Sequence, residues 1–192
     1  MSTAFQQKVG TIAQQQYNKH HLFRENQDPL SSQIKTDWEE IGLTFPGVDT
    51  AWSAVIVSWC VKKAGASAAQ FKFASAHSQF MFQAIANCTT DAGVFRGRKL
   101  STYTPKVGDI IQNNRPGNSF DFAFAKTHKS YVSHSALVIE VGSDTKGAYL
   151  RTIGGNASDS VGLKEVRLSA AGKVINTQSC SLLLSKRFSR KA

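Results

Sequence analysis

Apolar residues at Trp52, Val55, Ile56, Trp59 and Cys60 follow the i, i+3, i+4, i+7, i+8 spacing of a helix that buries one whole face. The spacing predicts a helix over 50–65, with Asp49 and Thr50 as its capping residues and Gly65 as its stop. A looser stripe of Phe5, Val9, Ile12 and Ala13 among glutamines predicts an amphipathic helix over 3–19, ended by Lys19-His20-His21. Residues 26–32, which contain Asp28-Pro29, are polar and suggest a linker. Trp38 and Ile41 suggest a short helical turn, and Phe80, Phe82 and Ile85 a second helix near 74–87. After Thr104 the period changes to that of strands: Ile110-Ile111, then 135–141, 148–153, 161–168 and 181–185. Helices followed by antiparallel strands give an α+β class with the sheet covered on one side. Between the first two strands, 118–132 has no clear period but carries Phe120, Phe122, Phe124 and Tyr131, as an irregular flap or one wall of a substrate groove would.

A chain of 192 residues with 41% hydrophobic content can bury the core of one ordinary domain. The net charge of +10 and pI near 9.7 favour an anionic partner: nucleic acid, acidic lipid or the bacterial wall. Charge alone does not choose among them, but there is no nucleic-acid motif and little interleaving of basic with aromatic residues, which argues against nucleic acid. The basic run at Lys186-Arg187 and Arg190-Lys191 suggests a solvated tail. Three cysteines, Cys60, Cys88 and Cys180, have neither paired nor metal-type spacing and are expected as buried thiols. No zinc, haem or phosphate-loop motif is present, so neither a metal nor an organic cofactor is expected. The first residues lack the basic start and apolar core of a signal peptide, and no apolar run is long enough to span a bilayer.

Ser53 falls in the first turn of the central helix. Backbone N–H groups there lack helical partners and the dipole is positive, which suits an oxyanion or an activated nucleophile. Serine is also a common structural residue in first turns. The wider stretch, Ala51-Trp-Ser-Ala-Val-Ile-Val-Ser-Trp-Cys-Val-Lys-Lys-Ala-Gly65, resembles the Pro-Trp-Cys signature of the CHAP and NlpC-like cell-wall amidases, with Ser53 where the nucleophilic cysteine would stand. Val107-Gly-Asp-Ile-Ile111, His134 at the head of a strand, and Ile153-Gly-Gly-Asn156 follow in the order such enzymes require. The resemblance covers roughly 38–168, closest to a bacterial branch with Trp-Ser in place of Trp-Cys.

The resemblance implies a papain-like fold: a central helix packed on an antiparallel sheet, with 1–37 as an N-terminal helical extension to a domain of 38–192. It also implies a peptidoglycan amide hydrolase in which Ser53 is the nucleophile, His134 the general base and Asn156 its orienter. Gly154-Gly155 would form a turn or bulge that aims Asn156 inward. Trp52, His77 and Arg115 would lie on the substrate side, Arg115 meeting a substrate carboxylate; the alternative for Arg115 is an ion pair with Asp109 or Asp121, and for His77 a helix cap. The expected partners are peptidoglycan and an immunity or secretion protein. With no signal peptide, the chain is expected to be made in the cytoplasm and delivered to the periplasm or wall by a non-Sec route, as an antibacterial effector or lysin. An alcohol is a far weaker acid than a thiol. Three possibilities therefore stand: a true serine hydrolase, a wall-binding relative without catalysis, or a silenced Cys-to-Ser variant.

Overall fold

The computed structural model describes residues 2–175 and, by its backbone, 180–186. The thiol of Cys180 and the basic tail lie outside the described side chains. Four helices come first, α1 (Ala4–His20), α2 (Leu30–Glu40), α3 (Ser53–Lys63) and α4 (His77–Thr89). Then come strands β1 (Phe95–Lys99) and β2 (Ile110–Asn114), a short helix α5 (Phe122–Thr127), and strands β3 (Ser133–Asp144), β4 (Gly147–Gly154), β5 (Gly162–Arg167) and β6 (Cys180–Lys186). The strands form one six-stranded sheet in the order β1-β6-β2-β3-β4-β5, antiparallel at every pairing. The protein is therefore α+β with an antiparallel sheet.

Helix α3 is buried all round: every residue from Ser53 to Val61 is buried. Its start differs from expectation. The N-cap is Trp52, and neither Asp49 nor Thr50 caps it through a side chain. Its end closes as a Schellman motif: Gly65, at φ +112°, donates its N–H to Lys62 O, and Ala66 donates to Val61 O.

Segment 26–32 is not a linker. Asp28 Oδ1 accepts from the Ser31 and Ser32 hydroxyls and from the Ser32 N–H, which anchors the first turn of α2. Leu30, Ile34 and Trp38 then line its inner face at i, i+4, i+8. A boundary after residue 37 would cut this helix, and Val9 and Ala13 of α1 belong to the same hydrophobic cluster as Trp52 and Leu137. The segment 1–37 is thus continuous with the main core. His20, at its centre, is 3% exposed.

Neighbouring positions of β2 and β3 alternate between two cores. Ile110 and Leu137 join the helices, whereas Ile111 and Val138 join a smaller cluster with Leu100, Leu168 and Val174. Both faces of the sheet are covered, not one.

Strand β1, with the sequence Phe-Arg-Gly-Arg-Lys, had no sequence signal. Its Gly97 lets α4 approach so closely that a Cβ there would stand 2.6 Å from Ile85 Cγ1. The stretch 118–132 also holds more order than expected. Asp121 caps α5 through Phe124 N–H, and the rings of Phe120, Phe124 and His128 stack in a column against which Tyr131 packs edge-on.

Candidate functional site

Ser53 and His77 are each the first residue of a helix, α3 and α4, and neither helix has a side-chain cap. The two N-termini converge. Ser53 Oγ lies 2.8 Å from His77 Nε2, with Ser53 2% and His77 6% exposed. With the ring proton on Nδ1, Nε2 accepts from the hydroxyl.

The approach of α4 to α3 is set one and a half turns along α3. There the buried Ser58 hydroxyl donates to Ala74 O (3.0 Å) and accepts from Ala74 N–H (3.1 Å), three residues before His77. One buried hydroxyl thus clamps the connection between the helices. Edge-on contact with Phe80, at 5.7 Å between centroids, holds the imidazole from its own helix.

His134, near the start of β3, is half-buried, and its ring meets that of His77 edge-to-face with centroids 5.3 Å apart. Gly154, beside it on β4, leaves the room it needs: a Cβ there would stand 2.9 Å from His134 Nε2. Gly155 makes the same allowance for Trp52, whose Cζ3 would be 2.3 Å from a Cβ. These glycines give clearance to aromatic rings; neither sits in the left-handed region, and the residue that does is Asn156, at φ 53°.

The pairing differs from the one expected from the sequence. The Ser53 hydroxyl is bonded by His77, not by His134. Among the described residues no hydrogen bond joins Asn156 to His134, so Asn156 is not observed as an orienter. Trp52 is 1% exposed and its indole N–H donates to Glu25 Oε2 at 2.7 Å, so it supports the site from beneath without a surface to offer a ligand. His77 is neither a capping nor a surface residue but the partner of the serine. Arg115, half-buried just after β2, lies close enough to act on both imidazoles. Neither acid considered for it pairs with it: Asp109 accepts from Gln6 Nε2 and Lys106 N–H, and Asp121 caps α5.

The electrostatics are one-sided. Burial, then His134 and Arg115, hold His77 well below the usual imidazole range. Burial, then Arg115 and Lys164, lower His134 to about 4. Both rings are neutral at pH 7, and among the described residues no carboxylate acts on either. Cys60 lies further down α3 with no exposed surface, and burial pushes its thiol well up, so it supplies no alternative nucleophile. Among the described residues no group of three or more His, Cys, Asp or Glu side chains is placed to hold a metal ion, and no helix is long and apolar enough to cross a membrane.

Comparison with known proteins adds one result. The family DUF2272, described as an uncharacterized protein conserved in bacteria, matches residues 6–189. No curated protein and no solved structure matches the chain.

Proposed function

The chain belongs to the bacterial DUF2272 family, and from that premise we propose that it is a hydrolase of amide bonds in bacterial peptidoglycan, built on a papain-like, NlpC- and CHAP-related plan. The observation that carries this is the 2.8 Å contact between Ser53 Oγ and His77 Nε2 at two converging helix N-termini. Ser53 attacks the scissile carbonyl carbon as its proton passes to His77 Nε2, and the carbonyl oxygen gains the negative charge that first-turn N–H groups stabilise. Collapse of the adduct breaks the C–N bond. The leaving amine takes the proton from Nε2, and water then hydrolyses the Ser53 ester by the same route. His134, more exposed than His77 and in contact with its ring, is the wall of the site nearest solvent. Arg115 is the group for an anionic part of the substrate.

The basic surface suits an anionic wall polymer, and delivery to the periplasm or wall by a non-Sec route fits that substrate. The test is incubation of purified protein with sacculi, followed by mass analysis of released muropeptides. Wild type is expected to generate new amine and carboxyl termini; Ser53→Ala is expected to generate none.

A second reading has its own support. Two imidazoles held well below their usual range are weak bases, which favours a relative that binds the wall without cutting it. Retention on sacculi with no new termini, unchanged in Ser53→Ala, would establish that reading.

A further inference from the structure

A serine–histidine pair ordinarily has a third member, a carboxylate or amide that accepts from the far nitrogen of the imidazole and stabilises the imidazolium that forms. Among the described residues nothing fills that place. His77 Nδ1 is buried and has no hydrogen-bond partner among the described residues. His134 meets the ring edge-to-face and makes no hydrogen bond to it. The charged groups acting on the two rings, Arg115 and Lys164, are both cations.

The acids that could have filled it are engaged elsewhere. Glu25 holds the Trp52 indole, Asp109 is tied to Gln6 and Lys106 N–H, and Asp121 caps α5. Arg115 makes no ion pair among the described residues. Two helix N-termini, of 11 and 13 residues, add their positive ends at the same point. A buried orphan nitrogen, an unpaired guanidinium and two helix ends all call for one negative charge that the described residues do not supply.

We propose that the substrate supplies it: a carboxylate close to the scissile amide binds Arg115, accepts a hydrogen bond from His77 Nδ1–H, and completes the triad. The substrate class is therefore an amide with a free carboxylate on a neighbouring residue, as at a peptide's C-terminus or on an acidic side chain. Amidated or esterified versions leave the pair incomplete. The inference rests on Ser53 and His77 being the reacting pair. It makes Arg115 a binding residue and the resting site an inactive one: with the carboxylate in place, the charge opposing an imidazolium is offset and His77 becomes a competent base.

The test separates this inference from the hydrolytic reading. Nuclear magnetic resonance of labelled histidine rings follows the His77 titration in the presence of N-acetylalanine, then N-acetylalaninamide, neither of which needs to be turned over. The carboxylate is expected to raise the His77 midpoint by about one pH unit or more and the amide to leave it unchanged. Arg115→Gln is expected to abolish the response and Arg115→Lys to restore part of it, both variants being checked for native circular dichroism. Equal midpoints with the two compounds, or a response that survives Arg115→Gln, would overturn the inference even if the protein cuts sacculi. Conversely, a carboxylate-specific response in a protein that releases no muropeptides would support the carboxylate site and count against hydrolysis.

Discussion

Ser58 shows how little separates a structural serine from the one proposed to react. It lies on the same helix as Ser53 and is equally buried, but both of its bonds go to the backbone of Ala74. Ser58→Ala would leave that buried N–H and C=O without partners, costing about 1–3 kcal/mol. It should also loosen the approach of His77, so that thermal denaturation and muropeptide release both fall while Ser53 is untouched. The two imidazoles differ in what they should lose. His77→Gln removes the group bonded to the nucleophile and is expected to reduce release by at least about a hundredfold; His134→Gln, one ring further out, should cost less. Equal losses in the muropeptide assay would return His134 to the role of base. Gly155→Val forces a branched side chain into the space held by the Trp52 and Ile56 side chains and should lower stability by about 1–3 kcal/mol, read as a fall in melting temperature.

Among the elements, α2 and α3 meet around an acid with no counter-charge in direct contact. Asp37 is 1% exposed, and its Oδ1 accepts from Gln33 Nε2. Burial raises its carboxyl to about 8. Because the folded midpoint lies above the unfolded one, the native state holds this proton more tightly; its contribution is complete below about 4 and is lost as pH rises through about 8. Asp37→Asn keeps the shape and removes the titration. It is expected to gain on the wild type steadily as pH rises from about 4 to 8.5, by roughly 2–4 °C for each 1 kcal/mol of stability gained.

This helix also shows where the sequence stopped being legible. Leu30, Ile34 and Trp38 are helically spaced, but Asp28-Pro29 with two serines reads locally as a turn. Only the bonds from Ser31 and Ser32 to Asp28 show it to be a helix start. Helices α3 and α4 could be read because their apolar spacing is long and regular, and β2 to β5 because their apolar runs are bounded by turn residues. Strand β1 could not, three of its five residues being basic and its order coming from its place beside α4. In the site, Ser53 was visible from its position at a helix start. The choice of His77 over His134 was not, because it depends on how Ser58 draws one helix against another, a contact between residues 16 apart with no local signature.

For the molecule as a whole, acid and base act through different groups. His134 and His77 titrate below their unfolded values. When pH falls below about 6.5 the unfolded chain therefore takes up protons first, and stability declines toward pH 4. On the other side Asp109, raised to about 7 by burial where α1 meets the start of β2, and Asp37, raised to about 8, take stability away as pH rises. A maximum in melting temperature is expected between roughly pH 6 and 7, and a curve still rising at pH 9 would contradict it. Removing residues 1–37 would strip Val9, Ala13, Leu30 and Ile34 from the main core, and the remainder is expected to lose cooperative unfolding by calorimetry.

The sheet order has a consequence for synthesis. Strand β6, last in chain order, lies between β1 and β2. Until residues 180–186 have emerged from the ribosome, each of those two strands presents a row of unmatched peptide groups toward an empty slot. A nascent chain in that condition is a substrate for chaperones and a hazard for self-association. Insertion of that one strand satisfies both rows at once and makes the sheet continuous from β1 to β5.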